Sequence, residues 1–151
     1  MDGEVRIFPD TSVLFAAVLS ESGGARLVLS LGEAQAIHVY VGPQVLREAD
    51  GVLARKAPDS RVRFALLLDR ARVHVVPEPG AEALAQATAL IPYAPDARVA
   101  AEAITAGVDY FVTLDKQHFV GNPRIGRLPF VVGTPGDFLA WFRNRLRGIV
   151  P

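Results

Sequence analysis

Two aspartates stand just after short apolar segments that are typical of buried β-strands. Asp10 comes after the segment Val5–Phe8, and Asp115 directly follows Tyr110–Leu114. Each carboxylate could simply accept the free backbone N–H groups at the start of the next helix, the more common role of aspartate at such a position. Ligands of open parallel sheets bind outside the carboxyl ends of the strands, so these two acids are also expected to face one crevice.

A third aspartate, Asp96, is expected to point inward from a helix. If residues 96–107 are helical, their apolar stripe consists of Val99, Ala100, Ala103, Ile104 and Gly107. At about 100° per residue, Asp96 falls in the middle of that stripe. A buried carboxylate needs a partner such as a cation. Pro95 makes a helix cap an equally reasonable interpretation.

A fourth acid comes from the helix predicted over residues 44–56. Its core face consists of Val45, Leu46, Ala49, Val52 and Leu53. Glu48 and Asp50 lie at the two borders of that face, so periodicity does not choose between them, and each alone is more simply a solvated acid. Four acids in one crevice would repel one another unless a multivalent cation neutralised them. An all-oxygen site suits Mg²⁺ or Mn²⁺, which can promote in-line attack on a phosphodiester.

The composition indicates a globular protein of one domain over residues 1–151. Half of the 151 residues are hydrophobic and 21% are charged, and there is no cysteine. Disulfides, thiolate nucleophiles and thiolate zinc sites are therefore excluded. No apolar run approaches the roughly 20 residues that span a bilayer, and the first residues lack the pattern of a secretion signal. We expect a cytoplasmic protein without membrane attachment.

The net charge is zero, but the charge is unevenly distributed. From residue 116 to the end there is one acid, Asp137, against six basic side chains: Lys116, Arg124, Arg127, Arg143, Arg145 and Arg147. A solvated surface and a patch that faces phosphate are equally reasonable interpretations of this excess.

Short apolar segments alternate with longer helical patterns, which predicts an α/β fold with a mainly parallel sheet of about five strands. The predicted strands are Val5–Phe8, Ile37–Val41, Val73–Val76, Tyr110–Leu114 and Phe130–Val132. Their apolar residues do not alternate with polar ones, so we expect helices on both faces, in a three-layer α/β/α sandwich. The predicted helices cover residues 11–20, 25–33, 44–56, 60–71, 80–91, 96–106 and 135–147. Thr134, Pro135 and Asp137 form a capping-box-like start for the last helix, and Gly148 ends it.

Four segments are similar to the motifs of one known family. Residues 6–14 read RIFPDTSVL, and residues 41–48 read VGPQVLRE. Residues 95–103 read PDARVAAEA and lead into residues 106–116, which read AGVDYFVTLDK. With this order and spacing, from residue 5 to about residue 142, the chain resembles the PIN-domain family. The last two motifs joined together are the specific part of the resemblance.

The resemblance implies a ribonuclease that cleaves single-stranded RNA with Mg²⁺ or Mn²⁺. Its metal-binding and catalytic acids would be Asp10, Glu48, Asp96 and Asp115. Supporting polar groups are expected at Thr11, Ser12 and Thr113. Lys116 and Arg124 are candidates for contact with RNA, whereas Asp109 is expected to be structural. Many relatives are toxins of bacterial toxin–antitoxin pairs, so an antitoxin protein and a homodimer are the implied partners.

Some residues depart from the family's pattern. Pro9 replaces an apolar residue, Ser12 stands where asparagine is more frequent, and residues 116–119 read KQHF. None of these changes removes a metal ligand, so we expect a competent site. His118 is close to Asp115 in sequence, but we expect it to be a surface residue or to pack locally.

Two other functions are consistent with such a chain. A PIN-like scaffold could bind RNA or protein without cutting, although four intact acids argue against it. A receiver-type phosphoacceptor domain is also α/β and of similar size. That class has adjacent acids after its first strand and an acceptor aspartate after its third, whereas Thr11 follows Asp10 and Pro77 follows Val76 here.

Overall fold

The computed structural model describes residues 4–148, and its centre is a sheet of five parallel strands. In chain order the strands are β1 (Arg6–Pro9), β2 (His38–Val41), β3 (His74–Val75), β4 (Tyr110–Val112) and β5 (Val131–Gly133). Their spatial order is β3-β2-β1-β4-β5, and every neighbouring pair is parallel. The order reverses between β1 and β4, and a crevice opens at such a switch point beyond the carboxyl ends of the strands.

Seven α-helices within the described residues connect and cover the strands. They are α1 (Thr11–Leu19), α2 (Gly24–Glu33), α3 (Pro43–Lys56), α4 (Arg61–Arg70), α5 (Ala81–Leu90), α6 (Ala94–Ala106) and α7 (Pro135–Leu146). Single 3₁₀ turns lie at Pro58–Ser60 and Ile125–Arg127, and one π-helical turn covers Lys116–Val120. The predicted α/β/α sandwich is confirmed, with boundaries shifted by one or two residues.

The two central strands are the most deeply buried part of the sheet. Ile7 and Phe8 of β1, and Phe111 and Val112 of β4, have no exposed surface. Phe8 is paired with Phe111, and their rings stack with centroids 5.8 Å apart. Burying one such side chain contributes about 1.5–3 kcal/mol. The strands that precede Asp10 and Asp115 are therefore held firmly.

The edge strands differ from the prediction that every strand is covered on both faces. Both residues of β3 are exposed, and Val131 of β5 is 46% exposed. Each edge strand pairs with one neighbour only, and β3 has just two residues in the ladder. An apolar sequence predicts strand formation, but the position of the strand in the sheet decides how well it is covered.

The predicted boundaries of α7 and the structural role of Asp109 are found in the structure. The Thr134 hydroxyl accepts the Asp137 N–H at 3.1 Å, and the Asp137 carboxylate accepts the Thr134 N–H at 3.0 Å. Gly148 has a φ of 74°, which suits the end of a helix.

Asp109 accepts the backbone N–H of Arg6 at 2.9 Å and so holds the start of β4 against β1.

Within residues 4–148, no single helix is long and apolar enough to cross a membrane. Thr11–Leu19 and Gly24–Glu33 pass that test only as a pair, and the two helices are bent by 94°.

Candidate active site

The four acids singled out from the sequence line one cleft at the carboxyl edge of the sheet. The cleft has a volume of about 170 Å³. Its lining residues are Asp10, Thr11, Ser12, Glu48, Asp96, Val99, Asp115 and Phe119. The acids come from the end of β1, from α3, from the first turn of α6 and from the end of β4. The topology therefore brings together residues that are far apart in the chain.

Asp10 both caps α1 and faces the cleft. Its carboxylate accepts the Val13 N–H at 3.2 Å and hydrogen bonds from the Ser12 and Thr113 hydroxyls. Burial raises the pKa of Asp10 to about 6; the hydrogen bonds oppose this shift and the Asp115 carboxylate adds to it. Capping and facing the cleft are therefore not alternatives for this residue.

Two hydroxyl groups link the ends of β1 and β4. The Thr113 hydroxyl donates to Asp10 and accepts the backbone N–H of Asp115 at 2.9 Å. The Ser12 hydroxyl donates to the other oxygen of Asp10 and accepts the N–H of Leu114 at 3.0 Å. One link is donated by the β4 side, from Thr113 to Asp10, and the other is donated by Leu114 to Ser12. Together they fix the position of Asp10 relative to the residues that follow β4.

Asp96 does not cap α6, which resolves the two interpretations of its sequence position. It lies in the first turn of the helix, and its side chain makes no capping hydrogen bond there. Its Oδ2 atom is buried and accepts no hydrogen bond from residues 4–148. Burial raises the pKa of Asp96 to about 6; the His118 imidazolium opposes this shift, and the other three acids of the cleft add to it.

Asp115 is the best stabilised of the three aspartates. It accepts the backbone N–H groups of Gln117 at 2.9 Å and of His118 at 3.0 Å, and it also contacts the His118 imidazole. Burial works against its charge, but these hydrogen bonds outweigh burial and lower its pKa. Asp115 therefore ionises more readily than Asp10 and Asp96.

His118 lies beside the cleft and contacts two of its acids; the predicted local packing accounts for the contact with Asp115 but not for the contact with Asp96. Its Nδ1 atom lies 3.0 Å from Oδ2 of Asp115 and 3.0 Å from Oδ2 of Asp96. The contact with Asp115 has the geometry of a hydrogen bond, whereas the Asp96 Oδ2 atom has no hydrogen-bond partner. The hydrogen bond to Asp115 raises the pKa of His118. The only sequence signal for these contacts was that His118 lies three residues after Asp115.

Glu48 also lines the cleft, whereas Asp50 does not. The Glu48 carboxylate accepts the Thr11 hydroxyl at 2.8 Å and the Gln44 side-chain amide at 3.0 Å. Asp50 is exposed and pairs with Arg61 at 2.8 Å. The structure thus distinguishes two acids that helical periodicity left equivalent.

A fifth acid, Glu102, was not singled out from the sequence. It lies on α6, is fully buried, and accepts the backbone N–H of Gln44 at 2.6 Å and of Val45 at 3.4 Å. Burial raises the pKa of Glu102, against the effect of these hydrogen bonds. Gly42 packs directly on this carboxylate, where a Cβ atom would collide with it. Glu102 therefore caps α3, the helix that carries Glu48.

The donor set fits a divalent cation. Oxygen and nitrogen atoms of Asp96, Asp115 and His118 lie within 4.8 Å of one another, with Asp10 and Glu48 in the same cleft. The buried Asp96 oxygen has no hydrogen-bond partner, and burial, with a smaller contribution from neighbouring acids, raises the pKa of Asp10 and of Asp96. A cation would satisfy that oxygen and relieve the repulsion. Carboxylate oxygens are typical ligands of Mg²⁺ and Mn²⁺.

Lys116 and Arg124, the two basic residues proposed to contact RNA, are both exposed. Arg124 lines a neighbouring cavity of about 380 Å³ that also contacts His118. Arg143, Arg145 and Arg147 lie elsewhere, on or just after α7, where Arg145 stacks over Trp141. The basic residues near the C-terminus are therefore divided between two parts of the surface.

Comparison with known families gives one assignment. A family model described as PIN domain matches residues 6–117, from β1 to just beyond Asp115. The chain belongs to the PIN-domain family. PIN domains are typically nucleases and generally use divalent metals. A receiver-type domain is also excluded by topology, because that fold has the strand order 2-1-3-4-5.

Two solved structures share this PIN fold at low sequence identity. A chain in the crystal structure of VapBC2 from Rickettsia felis, bound to a DNA fragment from their promoter, is 15% identical with a TM-score of 0.64. That alignment covers 86% of this chain and 98% of the other. PAE2754 from Pyrobaculum aerophilum is 16% identical with a TM-score of 0.55, over 93% of this chain and 98% of the other. The comparison with curated proteins gave no match.

Proposed function

We propose that this PIN domain is a divalent-metal-dependent endoribonuclease that cleaves single-stranded RNA, with residues 1–151 acting as one nuclease domain. The observation that carries the proposal is the buried Asp96 oxygen, which accepts no hydrogen bond within residues 4–148 while three other acids line the same cleft. Such an arrangement is costly unless a cation is bound. Family membership supports the same conclusion.

Each acid has its own role in this proposal. Asp10, Asp96 and Asp115 hold Mg²⁺ or Mn²⁺. A cation held there would supply Lewis-acid chemistry, making a water molecule more acidic and stabilising negative charge on the phosphate. Glu48, held by the Thr11 hydroxyl and the Gln44 amide, orients the attacking water or contributes to a second cation site. Its fixed position is what such a role requires, since misplacement of a reacting group is costly to rate.

The polar residues around the acids keep them in place before the substrate arrives. Ser12 and Thr113 hold both oxygens of Asp10, and Thr11 holds Glu48. The side chains therefore need little rearrangement when the substrate binds, which is how a preorganised site lowers a barrier. Lys116 and Arg124 are proposed to attract the RNA backbone from the exposed rim.

We also propose that the chain is a cytoplasmic toxin-type nuclease that forms a homodimer and pairs with a small antitoxin protein. The structural neighbour from Rickettsia felis is VapBC2, bound to a DNA fragment from their promoter. The absence of cysteine suits a reducing compartment. Size-exclusion chromatography with light scattering tests the dimer, and co-expression with the product of an adjacent small gene tests the antitoxin.

The decisive experiment is cleavage of a labelled single-stranded RNA by the purified protein with Mg²⁺ or Mn²⁺. A chelator and the Asp96→Asn variant should each abolish cleavage. Asp50→Asn is the matched control, because Asp50 is an exposed acid outside the cleft, and it should cleave like the wild type. Full activity of Asp96→Asn would overturn the assignment. Mn²⁺ that fails to bind in titration calorimetry would favour the alternative of an inactive scaffold.

A further inference from the structure

Tyr93 is a large aromatic residue that remains on the surface beside the cleft. It immediately precedes α6, three residues before Asp96, and is 53% exposed. Its ring lies almost parallel to the His118 imidazole, with centroids 5.1 Å apart and planes 18° apart. Stacking on His118 covers part of the Tyr93 ring and leaves the rest open to solvent.

His118 fixes this aromatic surface relative to the acids. Its imidazole lies 3.0 Å from both Asp96 and Asp115, so the Tyr93 ring is one stacking distance away from atoms that contact the acids. Single exposed aromatic residues are common on protein surfaces. Tyr93 differs from the others because its ring packs parallel to a histidine that contacts two acids of the cleft.

The cavity that His118 lines, but Tyr93 does not, has room for part of a nucleotide. The cavity of about 380 Å³ has apolar walls from Leu90 and Pro92 and also contacts His118. Arg124 supplies an exposed positive charge at its margin, while the Asn122 amide is used within the protein, donating to the Leu90 carbonyl at 3.1 Å. A cation beside an apolar surface suits a phosphate that is attached to a base.

We propose that Tyr93 is a stacking platform for one unpaired nucleobase next to the scissile phosphate, with Arg124 facing a neighbouring phosphate. This inference rests on the proposed nuclease function and names its substrate class, a strand with an accessible base. In a duplex the adjacent base pairs stack on both faces of every internal base, so an RNA helix offers Tyr93 no free face away from its ends. Stacking on an aromatic side chain tolerates every base, so the platform selects for single strands rather than for sequence.

The test is fluorescence of a short single-stranded RNA that contains 2-aminopurine, because stacking quenches this base without any cleavage. The full-length protein is titrated with Ca²⁺ in place of the catalytic cation, for the wild type, Tyr93→Phe and Tyr93→Leu. We expect quenching and similar affinity for the wild type and Tyr93→Phe. For Tyr93→Leu we expect little quenching and a dissociation constant higher by roughly 5- to 150-fold, the range for loss of one stacked base.

Two controls separate this inference from other effects. Tyr93→Leu should stay folded and bind Mn²⁺ with the affinity of the wild type, since the contact of the Tyr93 ring is with His118 and not with an acid of the cleft. A blunt RNA duplex of the same sequence should bind without any dependence on Tyr93. Equal quenching and affinity for Tyr93→Leu and the wild type would overturn the platform, as would a duplex with the same dependence on Tyr93.

Failure of the proposed nuclease function gives a different result. In that case no variant cleaves RNA with any cation, but quenching that requires an aromatic residue at position 93 persists. If Tyr93→Leu instead cleaves RNA like the wild type, with the same KM, the proposed role of Tyr93 is wrong. The proposed nuclease function would be unaffected by that result.

Discussion

The buried hydroxyl of Thr113 donates a hydrogen bond to the carboxylate of Asp10, a residue 103 positions earlier in the chain. The same hydroxyl accepts the backbone N–H of Asp115. One small side chain thus couples two of the proposed metal ligands across adjacent strands. The contribution of the Thr113 hydroxyl to stability and to metal binding can be measured without measuring catalysis.

Replacing Thr113 with valine should weaken both folding and metal binding. Valine keeps the shape but leaves a buried carboxylate oxygen and a backbone N–H without partners, which costs roughly 1–3 kcal/mol. Urea unfolding and Mn²⁺ titration calorimetry measure the two effects. Thr113→Ser keeps the hydroxyl and should recover most of both; equal losses in the serine and valine variants would contradict this role.

The stability of the metal-free protein should depend on pH through Asp96. The folded protein raises the pKa of Asp96 from 3.8 to about 6, so ionisation costs stability as pH rises through that interval and the cost is complete above it. Asp96→Asn cannot ionise. In chelator, its stability relative to the wild type should therefore increase from pH 4 to pH 7, by at most roughly 3 kcal/mol.

Saturating Mn²⁺ should remove this advantage of Asp96→Asn at pH 7, because the cation stabilises the ionised carboxylate of the wild type. Thermal unfolding with and without Mn²⁺ provides the measurement. A difference between the two proteins that is the same at pH 4 and pH 7 would show that Asp96 has no shifted pKa.

His118 should stabilise the metal-free protein most at low pH. Its pKa is raised by the hydrogen bond to Asp115, so the stabilisation is complete below the ordinary histidine pKa and is lost as pH rises through the folded value. His118→Phe keeps a ring for Tyr93 but removes the charge. The wild type should exceed this variant in stability by more at about pH 5.5 than at about pH 8.5, and an equal difference at the two pH values would contradict this role.

Gly42 and Glu102 should be coupled in a double-mutant cycle. An alanine at position 42 would place its Cβ atom against the Glu102 side chain, and overpacking of this kind costs roughly 1–3 kcal/mol. In a Glu102→Ala background the space is open, so Gly42→Ala should cost much less. Unfolding free energies of the two single variants and the double variant test this; simple additivity would mean that the two residues do not interact.

Local patterns predicted the elements but not all of the contacts between them. The mostly apolar sequences of β1 and β4 predicted buried strands, and Thr134 with Asp137 predicted the start of α7. These features depend on neighbours in sequence. The exposure of β3 depends instead on its place at the edge of the sheet, which the residues of β3 do not encode.

In the site, too, some features follow from neighbours in sequence and others only from the packing of distant elements. Asp10 and Asp115 follow strands, so their convergence could be predicted from the rule for parallel sheets. The role of His118 depends on its distance from Asp96, a residue on another element, and no periodicity reports that distance. The exposed pairing of Asp50 with Arg61 likewise separates it from Glu48 only once α3 and α4 are packed.

The central position of β1 and β4 has a consequence for how activity is lost. Local opening begins where backbone hydrogen bonds are exposed and buried contacts are few, which in this sheet describes β3 and β5 rather than the middle. Amide hydrogen exchange should therefore be slowest in the strands next to Asp10 and Asp115. Opening of β3 or β5 should therefore leave Asp10 and Asp115 in their positions relative to each other until the central strands separate.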